Sequence, residues 1–135
     1  MIPPFDANGV LPPGVHPATL AEIADRFGHS SELRQAQMQS VDWMIDLARR
    51  AGVQRIVLNG SFVTDRIEPN DVDCVLLIGP DFPSDSTAAK DLRDGLPFLD
   101  ISLVDQSDFD YFVQRFFAWD RVRRPKGMIE VNQWL

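Results

Sequence analysis

The stretch VLNGSFVTDRIEPNDVDCVLLIG, residues 57–79, decides how this sequence is interpreted. Two apolar runs, RIVLNG at residues 55–60 and DVDCVLLIG at residues 71–79, predict two successive strands. The second run is apolar on both faces after its first residues, which indicates a strand inside the sheet. The connection between the runs is charged and contains proline, which is typical of a turn.

Gly60 and Ser61 stand at the end of the first of these strands. Glycine lets the backbone approach a ligand closely, and Ser61 would open the next turn with a hydroxyl and exposed N–H groups. We therefore expect this turn to hold a phosphate. No histidine stands near Ser61 to act as its base, which argues against a serine hydrolase.

Asp71 and Asp73 begin the second strand, where a buried strand gains nothing from carboxylates. Residues two apart on a strand project from the same face, about 6.5 Å apart along the chain. Two such carboxylates repel each other unless a cation lies between them, and Mg²⁺ commonly joins one or two carboxylates to substrate phosphates. The alternative is that PNDVD, residues 69–73, is only a turn in which Asn and Asp side chains cap the loop.

Asp100 is the single charged residue inside a third apolar run, PFLDISLV at residues 97–104. If this strand pairs beside the second, Asp100 can face the same space as Asp71 and Asp73. Three carboxylates around one or two divalent ions make the two-metal arrangement, in which one ion activates a hydroxyl and the other holds pyrophosphate. Asp100 would then be a metal ligand or a base. The alternative is a strand-end carboxylate paired with an arginine.

The segment GSFVTDRIEPNDVD, residues 60–73, resembles the Gly-Ser … Asp-x-Asp signature of the nucleotidyltransferase superfamily that includes DNA polymerase β. The closest likeness is to the small prokaryotic minimal nucleotidyltransferases. The leader FDANGVLPPGVHPATL and the ending PKGMIEV also look like an uncharacterised bacterial and phage branch of that group. The resemblance implies a single-domain nucleotidyltransferase-like fold and a third carboxylate on a later strand, where Asp100 stands.

The resemblance also implies the roles of the site residues. Gly60 and Ser61 would bind the β- and γ-phosphates of a nucleoside triphosphate, and Arg66 in the connection would contact phosphate. The three carboxylates at positions 71, 73 and 100 would bind Mg²⁺, with two ions expected, and Asp100 would help to deprotonate the acceptor. ATP is the first nucleotide to test.

The function implied is transfer of a nucleoside monophosphate from an NTP to a hydroxyl on a protein or RNA, within a toxin–antitoxin or phage-defence pair. Many relatives hold the acceptor with a following helical domain, which this sequence lacks, so a protein partner or a second subunit would supply the acceptor. The alternative is a non-catalytic binding module, an antitoxin or partner-binding subunit whose acidic surface binds a basic partner. The sequence leaves the nucleotide, acceptor, partner and oligomeric state open.

Composition places limits on these interpretations. The formal net charge is −7 and the pI about 4.6, which argues against DNA and other sequence-independent nucleic-acid binding. No apolar run approaches the roughly 20 residues of a membrane span, and the N-terminus has no signal-peptide pattern. A single cysteine in an apolar strand, Cys74, suits a reducing compartment. We therefore expect a cytoplasmic protein without membrane contact.

The remaining pattern predicts an α+β, or α/β, domain in which a mixed sheet packs against helices. Residues 1–17 are rich in proline and are expected to be an extended arm, and residues 18–135 the nucleotidyltransferase-like domain. Helices are predicted from a Thr19–Glu22 capping box to Phe27, from Ser30 or Ser31 to Ala51, over 86–92, and over 107–119 with Ser107 as the cap. The tail is expected to end in a short edge strand.

Two further features have open roles. The segment RVRRPK, residues 121–126, is the one basic concentration, and it is either a solvated loop or a source of cations for a triphosphate or an RNA end. Six aromatic residues crowd residues 109–119, too many for one buried stripe, so we expect some of them to form an oligomer or partner surface. They are Phe109, Tyr111, Phe112, Phe116, Phe117 and Trp119.

Overall fold

The computed structural model describes residues 1–116, 118–119 and 124–135, which contain five strands and four α-helices. In chain order these are β1 (Gly14–Ala18), α1 (Leu20–Phe27), α2 (Glu32–Ala51), β2 (Arg55–Asn59), β3 (Val72–Leu77), α3 (Thr87–Asp94), β4 (Leu99–Val104), α4 (Gln106–Tyr111) and β5 (Gly127–Val131). A 3₁₀ turn at Ser61–Val63 follows β2, and a π-helical turn at Phe112–Phe116 continues α4. None of the helices in these ranges is long and apolar enough to cross a membrane.

The strands form one sheet in the order β1-β5-β2-β3-β4. The pairs β1–β5 and β3–β4 are parallel, and β2 pairs antiparallel with both β3 and β5. The chain therefore has a mixed five-stranded sheet with helices, an α+β single-domain fold, as the sequence predicts. β3 has a neighbour on each side, in agreement with its two apolar faces.

Helix starts follow the predicted caps in the first two helices. Thr19 and Glu22 form a complete capping box before α1, and the Ser31 hydroxyl accepts from the Arg34 N–H at the start of α2. Ser86 caps α3. Gly52 ends α2 with φ of 94°, in the left-handed region where a glycine is favoured.

The two faces of the sheet are covered differently. The larger core packs α1, α2 and α3 on one face. On the other face a smaller cluster joins Val57 of β2 and Val75 of β3 to Phe109 of α4. Arg55 lies 4.7 Å from the centre of the Phe109 ring and donates two hydrogen bonds, of 2.7 and 2.6 Å, to the Glu130 carboxylate of β5. This second face also carries the polar side chains described below.

Four features differ from the sequence prediction. The last helix ends before Trp119, which forms an isolated β-bridge with Pro125. β5 lies between β1 and β2, so the expected edge strand is an internal one. The cap of α4 is Asp105, whose carboxylate accepts from the Asp108 N–H at 2.9 Å, so Ser107 is not the cap but stands inside the helix. β1, which no sequence pattern predicts, runs across the expected boundary at residue 17. The proline-rich segment lies along the domain, with Ile2 and Leu11 buried in the larger core.

Candidate functional site

The connection from β2 to β3 is held by a buried arginine of α2. The Arg34 side chain is only 3% exposed and donates hydrogen bonds to the carbonyl oxygens of Phe27, Phe62, Thr64 and Arg66, at 2.6 to 3.0 Å. Burial lowers the pKa of the guanidinium. Three of these carbonyls, those of Phe62, Thr64 and Arg66, belong to the loop and fix its path, and the Phe27 carbonyl joins the same guanidinium to the end of α1.

Gln37, one turn further along α2, holds the second half of the same loop. Its buried amide Nε2 donates to the carbonyls of Pro69 and Asn70, at 3.1 and 2.8 Å. The backbone N–H of Asn70 in turn donates to Ser61 Oγ at 2.7 Å. The Ser61 oxygen is thus oriented as an acceptor within the protein, and its own O–H is left to donate to a ligand.

Sequence reasoning missed both α2 residues, although the sequence does carry a signal for them. Arg34 and Gln37 are three residues apart and lie on the buried, mostly apolar face of α2, which Met38 and Val41 continue. A polar residue on a buried helical stripe requires a partner, because an unpaired buried polar group costs free energy.

Gly60 occupies a position that no other residue fits easily. Its φ is 85°, and a β-carbon built there would lie 2.9 Å from Asp73 Oδ2 and 3.2 Å from the backbone oxygen of Asp71. The glycine therefore allows both the left-handed turn and the close approach of the Asp73 carboxylate.

The sheet register places three polar side chains in a row. Asn59 of β2 lies opposite Asp73 of β3, and Asp73 lies opposite Asp100 of β4. Adjacent strands are about 4.8 Å apart, so the carboxylates of Asp73 and Asp100 project from neighbouring positions on one face. Asn59 is buried, Asp73 is half-buried and Asp100 is exposed. Asp71 precedes β3 by one residue and stands two positions before Asp73, in the expected spacing.

All six residues predicted from the sequence line one open cleft of about 920 Å³. They are Gly60, Ser61, Arg66, Asp71, Asp73 and Asp100. The size falls in the range of small-molecule sites, about 300–1,000 Å³. The structure therefore brings together every residue of the predicted site, including Asp100, which belongs to no local motif.

Two other parts of the chain complete the walls of the cleft. Asn8, Gly9 and Val10 come from the proline-rich segment, and Trp119, Arg124 and Lys126 come from the region before β5. Arg124 Nη1 donates to Asn8 Oδ1 at 2.9 Å, which joins these two walls. Sequence reasoning predicted neither the segment at residues 8–10 nor Trp119 as part of the site.

The open questions about the basic and aromatic segments are answered only in part. Arg124 and Lys126 line the cleft, while Arg121 and Arg123 lie outside the described residues. Phe109 is buried, and Tyr111 and Trp119 are about half exposed. Phe117 and the side chain of Phe116 also lie outside the described part of the chain. A partner surface formed by these aromatic residues stays a prediction.

The buried thiol of Cys74 lies close enough to the site to be affected by its charge. Its pKa is raised well above the usual range, first by burial and then by the negative charges of Asp73 and Asp100. The negative charges of both carboxylates thus raise the pKa of the same buried thiol. A cation bound by the carboxylates would partly cancel that negative charge.

The site fits a divalent cation in the kind of groups it offers. Its oxygen donors are carboxylates on adjacent strands, which suit Mg²⁺, and the polar atoms of Asn59 below them have no hydrogen-bond partner among the described residues. Within the same residues no group of three or more His, Cys, Asp or Glu side chains is arranged to hold a metal ion. The carboxylates would therefore have to move closer together to bind a cation.

The chain belongs to DUF6932, a family of unknown function, whose model matches residues 3–132. No curated protein and no solved structure matches it.

Proposed function

We propose that the cleft binds a nucleoside triphosphate with Mg²⁺ and transfers its nucleoside monophosphate to a hydroxyl on a protein or RNA. The observation that carries this proposal is the pairing of Asp73 with Asp100 in the β3–β4 register, next to the Gly60–Ser61 turn. Two adjacent carboxylates facing a cleft are unfavourable alone and useful when a cation joins them to phosphate. The resemblance of residues 60–73 to the nucleotidyltransferase signature supports the same reaction.

The turn after β2 would hold the phosphates. The Gly60 backbone has no side chain to block a phosphate, and the Ser61 hydroxyl has its hydrogen available because its oxygen accepts from Asn70. Arg66 lines the cleft and is exposed, so its guanidinium can reach an anionic ligand. Arg34 and Gln37 keep this loop in place without touching the ligand.

Asp71, Asp73 and Asp100 would hold Mg²⁺, which when bound neutralises phosphate charge and favours loss of the hydroxyl proton. The acceptor oxygen forms a bond to the α-phosphorus, and the bond from that phosphorus to the oxygen shared with the β-phosphorus breaks, releasing pyrophosphate. Asp100 would take the acceptor's proton, and its exposure, in contrast to the half-buried Asp73, supports this role.

The experiment that tests this function is calorimetric titration of each of the four NTPs into the protein, with Mg²⁺ and with EDTA. It is repeated on Asp71→Asn/Asp73→Asn and on Asp91→Asn, a control that removes an exposed carboxylate of α3 away from the cleft. We expect binding that requires Mg²⁺, is lost in the double variant and is retained in the control.

Binding to the wild-type protein would also identify the preferred base. Incubation of the protein with that nucleotide, labelled on the α-phosphate, would then detect transfer to a second copy or to added RNA. Absence of binding by all four NTPs, in protein shown to be folded, would contradict a free-standing enzyme and favour a non-catalytic binding module.

A further inference from the structure

Asn59 is a buried polar residue whose hydrogen bonds are not made within the folded chain. It is 0% exposed, and neither its amide nitrogen nor its amide oxygen has a partner among the described residues. Buried side-chain polar atoms are satisfied in the large majority of cases, because an unsatisfied one keeps its desolvation cost. A residue that lowers stability in this way requires an explanation from function.

The other buried amide of this region has one half of its amide satisfied. Gln37 is 1% exposed, and although its Oε1 has no partner among the described residues, its Nε2 donates to the carbonyls of Pro69 and Asn70 and so holds them. That is how a buried amide supports a fold. Asn59 supports no loop and no strand, yet it borders the cleft at the end of β2.

The sheet register determines which group can reach Asn59. Because its amide atoms are closed off from solvent, a partner must come from a residue already beside it. Asn59 lies opposite Asp73 across the antiparallel β2–β3 pair, where facing β-carbons are about 5 Å apart. The Asp73 carboxylate also lies against Gly60, the next residue after Asn59.

We propose that Asn59 is a positioning residue for Asp73 when a divalent cation occupies the cleft. One oxygen of the Asp73 carboxylate would then bind the cation, and the other would accept a hydrogen bond from Asn59 Nδ2. The amide therefore fixes the orientation of the carboxylate in the loaded site. This inference rests on the metal site of the proposed function, and it concerns a residue outside the Gly-Ser … Asp-x-Asp pattern.

An amide suits this position better than other side chains of similar size. An aspartate would add a third negative charge to the row of Asp73 and Asp100, and a leucine would offer no donor. Leucine nonetheless has the same branching at Cγ as asparagine, with two methyl groups in place of the amide nitrogen and oxygen, and has no polar atoms to desolvate. Asn59→Leu therefore separates the contribution of this residue to folding from its contribution to ligand binding.

The test compares wild-type protein, Asn59→Leu and Asn59→Ala, with Mn²⁺ alone as the probe. Urea unfolding in EDTA measures the stability of the cation-free protein, and calorimetric titration measures the affinity for Mn²⁺. We expect Asn59→Leu to unfold at higher urea than the wild type and to bind Mn²⁺ about 10- to 100-fold more weakly, as for residues that orient a metal ligand. Asn59→Ala, which removes the amide and adds no bulk, should show the same loss of affinity.

The outcomes separate this inference from the function on which it rests. If wild-type protein binds Mn²⁺ and both variants bind it equally well, the role of Asn59 is overturned and the metal site stands. If Asn59→Leu is less stable in EDTA than the wild type and Asn59→Ala keeps wild-type affinity, Asn59 is merely structural. If the wild type itself does not bind Mn²⁺, the metal site and this inference both fail.

Discussion

The carboxylate of Asp73 lies where Gly60 leaves room for it, 2.9 Å from the point that a β-carbon of residue 60 would occupy. The same glycine has φ of 85°, so two separate requirements meet at one residue. Gly95 has a similar backbone conformation, with φ of 92° and ψ of 163° against 85° and −170° at Gly60, and no heavy atom lies within 4 Å of its own β-carbon position. The chain thus contains its own control for backbone strain without steric contact.

We expect Gly60→Ala to lower stability by more than Gly95→Ala. Both variants force an L-residue into the same positive-φ, extended-ψ region, at a cost of about 1–3 kcal/mol, and only Gly60→Ala also displaces the Asp73 carboxylate. Nucleotide binding with Mg²⁺ should be lost in Gly60→Ala and kept in Gly95→Ala. Urea unfolding and calorimetric titration measure the two effects, and equal behaviour of the two variants would contradict the contact with Asp73.

The pairing of Asp73 with Asp100 predicts that removing one of the two charges raises stability, whereas Gly60→Ala lowers it. Like charges directly opposite each other across two strands are destabilising, so we expect Asp100→Asn to raise the free energy of unfolding by a few tenths of a kcal/mol in EDTA. High salt should reduce this gain because it screens the repulsion. A fall in stability on making Asp100→Asn would show that the carboxylate has a stabilising partner instead of a repulsive neighbour.

Removal of the Arg34 guanidinium should release the loop that carries the site. Arg34→Leu leaves four carbonyl oxygens without their donor, and we expect a loss of about 3 kcal/mol or more, because buried unpaired acceptors keep their desolvation cost. Arg93→Leu, at an exposed position of α3, is the matched control and should stay within about 0.5 kcal/mol of the wild type. Urea unfolding gives both values.

Hydrogen exchange gives a second measurement on the same variant. Amides of residues 62–70 should exchange faster in Arg34→Leu even under conditions in which the domain stays folded, since local opening no longer breaks the arginine's hydrogen bonds. Unchanged exchange of this segment would show that the loop is ordered by other contacts.

Cys74 provides a prediction that depends on pH. Because its thiol pKa is raised by burial and by two carboxylates, the folded protein holds this proton more tightly than the unfolded chain does. The contribution of the thiol to stability is therefore present below its unfolded pKa of about 8.5 and is lost as pH rises above it. Stability should fall less steeply in that alkaline range in Cys74→Ala than in the wild type.

The same pKa shift makes the thiol unreactive in the folded state. We expect Cys74 to be modified by a disulfide reagent at pH 8 only as fast as the protein unfolds, since the thiolate is the reactive form. Labelling in increasing urea should follow the unfolding curve. Rapid labelling of the native protein would mean that the thiol is accessible and the strand is open there.

Local patterns allowed most elements to be predicted from the sequence. Caps such as Thr19 and Ser31 fix helix starts because their oxygens satisfy backbone donors, and unbroken apolar runs identify internal strands. The convergence of Asp73 with Asp100 was also predictable, given that their two strands pair in parallel. The sequence could not show which strands that are far apart in the chain pair with each other.

β1 is the clearest example of that limit. It includes Pro17 and follows a proline-rich stretch, so its local pattern resembles an irregular arm, and only the pairing with β5 makes it a strand. The same pairing turns β5 from a predicted edge into an internal strand. Asp105 and Ser107 are both good caps, and which of them starts α4 was decided by where β4 ends.

The pairing of β1 with β5 also sets an order of events for a growing chain. β1 has no neighbour other than β5 among the described strands, and β5 follows it by more than one hundred positions. During synthesis β1 therefore stays unpaired until β5 has been made. Contacts between residues so far apart in the sequence also form slowly. Asn8 and Gly9 are attached to that waiting strand, so a nascent chain can assemble the three carboxylates well before it can enclose them.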